Sequence, residues 1–137
     1  MSTPPWSSKP VVLVVDDEPD IRETMTLMLQ SRGFDVVTAA GPDEAMTICQ
    51  QRDGRIDALV ADLSLPGDLN GDLARRVTAA YPHVKVLFAT GVPRNIALAT
   101  GLVDPAAPYL QKPVDAHTLA ASLHGLLTAR PGPSGRS

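Results

Sequence analysis

The sequence predicts one α/β domain, a doubly wound five-stranded parallel sheet with five helices covering both faces. Two observations carry this. Short, largely apolar runs bounded by turn residues recur at Val11–Val15, Asp35–Ala39, Ala58–Ala61, Val84–Ala89 and Ala107–Gln111, which is how strands buried on both faces read. Between them, and after the last, apolar residues recur at helical spacing, and strict strand–helix alternation marks a parallel sheet. A chain of 137 residues suits one such domain.

Val11 to Val15 is apolar and mostly β-branched, as a buried strand requires. It runs into Asp16-Asp17-Glu18-Pro19-Asp20. Pro19 fits the first turn of a helix, whose stripe is Ile21, Met25, Met28 and Leu29. Gly33 stops it. After the second strand, Pro42-Asp43-Glu44 opens a helix with Ala45, Ile48 and Cys49 on one face. The third strand is followed by an amphipathic segment from Asp72 to Tyr81 that turns Leu73, Val77, Ala80 and Tyr81 inward. Pro82 ends it, and the fourth strand finishes at Thr90-Gly91. Pro93 to Leu102 is expected to be a weak helix, with Gly101 inside it and Arg94 as its one charge. The fifth strand ends at Lys112-Pro113. Asp115 caps a last helix striped by Leu119, Leu123, Leu126 and Leu127.

The net charge of −3 and pI near 5.5 argue against a nucleic-acid surface, which needs a basic patch. No apolar run is long enough to span a bilayer, and the first ten residues lack the apolar core of a secretion signal. One cysteine, Cys49, excludes an internal disulfide and fits a reducing cytoplasm. The Pro-rich polar ends, residues 1–9 and 130–137, are expected to be disordered tails around a domain at 10–129. His83, His117 and His124 have no metal-ligand spacing, and Cys49 reads as a small core residue.

The chemistry gathers around Asp62. It ends the apolar run Ala58–Ala61 and precedes a Pro/Gly/Asp/Asn loop, and open α/β sheets place their ligand sites at such strand ends. Right-handed crossovers leave few strand orders. The order 2-1-3-4-5 brings Asp16, Asp17 and Asp62 together at the switch point. Three adjacent carboxylates repel one another, and a hard divalent cation such as Mg²⁺ relieves this. Lys112 adds a cationic donor and Thr90 a hydroxyl, completing equipment for phosphoryl transfer to a carboxylate nucleophile.

The set resembles the receiver domain of bacterial two-component response regulators, with its flavodoxin-like fold. The matching pieces are Val11-Val12-Leu13-Val14-Val15-Asp16-Asp17-Glu18-Pro19, Asp62 with Pro66, Thr90-Gly91, and Tyr109-Leu110-Gln111-Lys112-Pro113. The resemblance spans residues 10 to 128. It implies Asp62 as phosphoacceptor, Asp17 as a direct Mg²⁺ ligand, Asp16 acting largely through water, and Ser64 binding the metal through its backbone carbonyl. Lys112 and Thr90 would contact the phosphoryl oxygens, and Thr90 with Tyr109 would form the switch. Two departures stand out: one extra residue between Pro66 and Gly71, and a fourth helix short of charge. Both are similar to receivers of hybrid sensor histidine kinases.

The implied role is a stand-alone cytoplasmic phosphoacceptor, not a classical enzyme, that assists its own phosphotransfer and autodephosphorylation. Its donor would be a sensor histidine kinase or a histidine phosphotransfer protein. It would be a monomer or weak dimer signalling to a protein target or acting as a phosphate sink, with no nucleic acid or membrane partner. Two alternatives compete: a pseudo-receiver that binds a partner without phosphorylation, and a small phosphohydrolase using Asp16 as nucleophile and Glu18 as the acid.

Overall fold

A buried strand cannot satisfy its own backbone polar groups. Val11–Val15 (β1) therefore pairs along both edges, with Asp35–Ala39 (β2) and Ala58–Ala61 (β3). Lys85–Thr90 (β4) pairs with β3, and Tyr109–Gln111 (β5) with β4. All pairings are parallel and the order is β2-β1-β3-β4-β5, the doubly wound topology expected. The computed structural model describes residues 9–68, 71–101 and 107–128. The expected tails fall almost wholly outside these residues.

Parallel neighbours require crossovers, and the helices supply them: Pro19–Gln30 (α1), Pro42–Gln51 (α2), Asp72–Ala80 (α3), Arg94–Ala99 (α4) and Ala116–Thr128 (α5). Side chains alternate along a strand, so β1 feeds two cores. Val12 and Val14 join Met25 and Leu29 of α1 and Leu119 and Leu123 of α5. Leu13 and Val15 join Ala45 and Cys49 of α2 and Leu73 and Val77 of α3. A small third cluster seats Ala97 of α4 on Leu63, beside Phe88 and Tyr109.

The end of the sheet opposite Asp62 is stapled. Asp57 N–H donates to the Val11 carbonyl at 2.8 Å, and Lys85 N–H donates to the Asp57 carbonyl at 3.0 Å. The Val11 N–H donates to Asp57 Oδ2 at 2.7 Å. One residue thus ties the starts of β1, β3 and β4, through its backbone and its carboxylate.

Four sequence expectations need correction. Ala80 is exposed, and Ala74 with Leu73 and Val77 forms the buried face of α3. Tyr81 does pack against the core as expected, but from the C-cap, outside helical geometry. β4 starts at Lys85, because Val84 N–H is spent on the Tyr81 carbonyl in a turn. β5 starts at Tyr109, where pairing with Phe88 begins. α4 is shorter than Pro93–Leu102: Pro93 is the N-cap and Thr100 the C-cap, Gly101 is left-handed at φ 76°, and Leu102 lies outside the described residues. Asp115 does cap α5, accepting from Thr118 N–H at 2.7 Å.

Gly54 tests the packing under the sheet. Its φ is +72°, and a Cβ there would lie 2.5 Å from Tyr81 Cδ1. Gly54→Ala should cost about 1 to 2 kcal/mol for the left-handed backbone and about 1 to 3 kcal/mol for overpacking. Urea unfolding measures the sum; a loss of only about 1 to 2 kcal/mol, the backbone part alone, would mean that Tyr81 moves aside freely.

Candidate functional site

Each principal site residue stands at, or within two residues of, the carboxyl end of a strand. Register decides their meeting: Val15 lies opposite Ala61, and Thr90 opposite Gln111. Asp16 and Asp62 therefore emerge side by side, and the Lys112 N–H donates to the Thr90 carbonyl at 2.8 Å. Asp16 is 1% exposed, Asp62 7% and Thr90 0%.

Lys112 joins the two buried acids. Its Nζ donates to Asp62 Oδ2 at 2.7 Å and also to Asp16 Oδ2. The remaining oxygens take backbone donors. Asp62 Oδ1 accepts from Ser64 N–H at 2.9 Å, and Asp16 Oδ1 from Glu18 N–H at 3.0 Å. Asp17 is exposed and has no hydrogen bond to any described residue. One oxygen from each of Asp16, Asp17 and Asp62 lies within 4.8 Å of the others.

Burial would raise the Asp62 pKa, but hydrogen bonds from Lys112, Thr90 and the Ser64 amide outweigh it and hold the carboxyl below its usual range. Burial would lower Lys112, yet its bonds to Asp16 and Asp62 raise it above an ordinary lysine. The two shifts bracket a pH window. The Asp62 contribution to stability is present above its unfolded-state pKa and is lost as pH falls through the folded value. The Lys112 contribution is present below its unfolded-state pKa and is lost as pH rises through the folded value. Both are intact across the neutral range. Burial and the Asp62 charge push the Tyr109 phenol up, against Arg94.

The family model for the response regulator receiver domain matches residues 12–124. This chain belongs to that family. The DNA-binding response regulator MtrA of Mycolicibacterium smegmatis is 33% identical over 116 residues, 85% of this chain and 50% of MtrA. The sensor kinase CckA of Brucella abortus is 30% identical over 121 residues, 88% of this chain but 13% of CckA. The structure of the Vibrio cholerae chemotaxis protein CheY4 superposes with a TM-score of 0.72 at 28% identity, covering 87% of this chain and 99% of CheY4. The chain spans half of MtrA and a small part of CckA, so neither relative's whole activity transfers with the fold. No helix among the described residues is long and apolar enough to cross a membrane.

Asp16, Asp17, Asp62, Thr90 and Lys112 thus meet in this receiver domain. Ser64 contributes its amide, with its side chain exposed. Tyr109 stands apart. Its hydroxyl donates to the Val92 carbonyl, while Val92 N–H donates to Thr90 Oγ1 at 3.3 Å, so Val92 joins the two. His117 and His124 are exposed on α5, and Cys49 is buried. Two polar residues escaped the sequence reading. Arg22 Nη1 donates to the Asp16 carbonyl at 2.7 Å. Asp68 Oδ1 accepts from Leu73 N–H at 2.7 Å, capping α3 where Gly71 has no side chain to do so. Each carried a signal: a cation in an opening helical turn opposes the macrodipole, and a helix N-capped by glycine needs a donor's partner from elsewhere.

Lys112→Met should reverse the Asp62 shift, because burial then acts with less opposition. Carboxyl-detected NMR should find Asp62 titrating below the usual aspartate range in the parent and above it in the variant. An unmoved titration would show that Lys112 does not set the charge of Asp62.

Proposed function

We propose that this receiver domain accepts a phosphoryl group on Asp62 from a phosphohistidine donor, either a sensor histidine kinase or a histidine phosphotransfer protein. The observation that carries the reading is three carboxylate oxygens within 4.8 Å of one another, faced by a lysine bonded to two of the acids. So many negative charges need cationic compensation, and so do the oxygens of a transferring phosphoryl group.

An all-oxygen donor set suits Mg²⁺. Asp17 and Asp62 would hold it directly, Asp16 through water, and the Ser64 carbonyl would be a further ligand. When bound, Mg²⁺ neutralises charge on the phosphoryl oxygens. In the transfer, an Asp62 oxygen bonds to phosphorus as the donor's P–N bond breaks, and the leaving imidazole nitrogen takes a proton from solvent. Lys112 follows the new charge. Hydrolysis returns the Asp62 carboxylate and inorganic phosphate.

The donor is expected to dock on an apolar groove of about 420 Å³ beside Lys112, lined by Ile21, Met25, Met28, Pro113 and Val114. Phosphorylation would draw the Thr90 hydroxyl toward the new oxygens and away from Val92. Tyr109, bonded to Val92 on its other side, would then repack with α4. A phosphate sink would need no such change.

Asp62→Asn should abolish the acyl-phosphate adduct formed with acetyl phosphate, read by mass spectrometry, while the fold survives. Label found on Asp16 would favour a phosphohydrolase, and no adduct on the parent would favour a pseudo-receiver. Met28→Glu should slow transfer from a phosphohistidine donor much more than from acetyl phosphate; equal effects would displace the docking site.

Magnesium should also raise the melting temperature of the parent. A ligand at roughly one hundred times Kd adds about 2.7 kcal/mol. Asp17→Ala should remove most of that gain, and an undiminished gain would put the metal elsewhere.

A further inference from the structure

Asp16 is held at every polar atom. Its N–H donates to the Ala39 carbonyl at 3.2 Å, Oδ1 accepts from Glu18 N–H, and Oδ2 accepts from Lys112. Its carbonyl accepts from Arg22 Nη1 at 2.7 Å. Arg22 is half-buried in the opening turn of α1. The peptide joining Asp16 to Asp17 is planar, so a bond to the Asp16 carbonyl fixes the plane from which Asp17 departs. Asp17 has no other such restraint, since its carboxylate bonds to no described residue.

The charge of Arg22 works the other way. A cation near the start of a helix opposes the macrodipole, and one bonded to the Asp16 carbonyl repels any cation added at the carboxylates nearby. We propose that Arg22 is a positioning residue: through the Asp16 carbonyl it aims Asp17 at Asp62 and so sets the domain's Mg²⁺ affinity. The inference rests on the metal site proposed above.

Because the bond and the charge act with opposite signs, one substitution separates them. Arg22→Met keeps an apolar stem and removes both. If positioning governs, Mg²⁺ affinity of the unphosphorylated domain falls about tenfold, the scale of losing an outer-shell orienting group. Amide NMR shifts at residues 16–20 and 62–68 read it directly. The Mg²⁺ concentration that half-saturates labelling by acetyl phosphate should rise by a similar factor, so that the deficit shrinks as Mg²⁺ is raised. Arg22→Lys, which keeps an N–H donor, should restore part of the affinity.

Tighter Mg²⁺ binding in Arg22→Met would make Arg22 a charge and nothing more, and unchanged binding would reduce it to a structural contact; either overturns the proposal. If Arg22→Met does not fold, Arg22→Ala, which also removes both the bond and the charge, decides by the same measurements, and parental or tighter Mg²⁺ binding in that variant overturns it. A parent that shows no Mg²⁺-dependent shift removes the metal site itself, and this inference with it.

Discussion

Lys112 is the side chain on which the arrangement of the molecule depends. Asp16 and Asp62 end neighbouring strands almost out of contact with water, and their charges are tolerable only beside a cation. That cation comes from the sheet's far edge, reaching past β4. The bridge therefore exists only if β1, β3, β4 and β5 pair in this order and register. A buried ion pair adds little net stability over well-packed apolar residues, but removing one partner costs about 3 to 5 kcal/mol. Fold and site are thus coupled by a liability. The charges that equip the pocket would penalise any misassembled sheet.

The two ends of the sheet are built differently. At the closed end, Asp57 ties three strands through backbone and carboxylate bonds, and Tyr81 lies against Gly54. At the open end, helix α4 has six residues and one buried side chain, Ala97, with Ile96 half exposed. Segments with few buried contacts open at low free-energy cost. Thr90, Val92 and Tyr109 run along the border of that segment. A change in charge at Asp62 meets a rigid floor on one side and a yielding helix on the other.

Much of this was legible in the sequence, for particular reasons. Val11–Val15 and Ala58–Ala61 are uninterrupted apolar runs with a carboxylate at the end, so strand, strand end and site residue coincide in one signal. The limits of β4 and β5 did not show, because Val84 and Ala107 continue the apolar pattern and only turn and ladder hydrogen bonds exclude them. Ala80 misled because it continues the helical spacing of Leu73 and Val77, yet as the last residue of α3 it stands exposed. Arg22 and Asp68 went unseen because both act on backbone atoms, and their signals, a cation early in α1 and a glycine N-cap on α3, do not name the atom each one binds. Tyr109 was identified by resemblance, but its tie to Val92 depends on a loop whose path no residue type dictates.

The Asp68 cap divides the connection between β3 and α3 into two closures. From Asp62 to Asp68 the chain is pinned by the Ser64 amide on Asp62 and by Asp68 N–H on the Leu65 carbonyl at 3.1 Å. From Asp68 to Leu73 it is pinned again by the cap. A chain fastened at an intermediate point transmits little of a length change across the fastening, and lengthening a closed loop costs only slowly growing entropy. Residues can therefore be gained or lost beyond Asp68 while Asp62 and Ser64 stay in place. The outer half of this connection is free to diverge in length and composition, a natural place for one receiver to differ from another in what it touches while its chemistry is preserved.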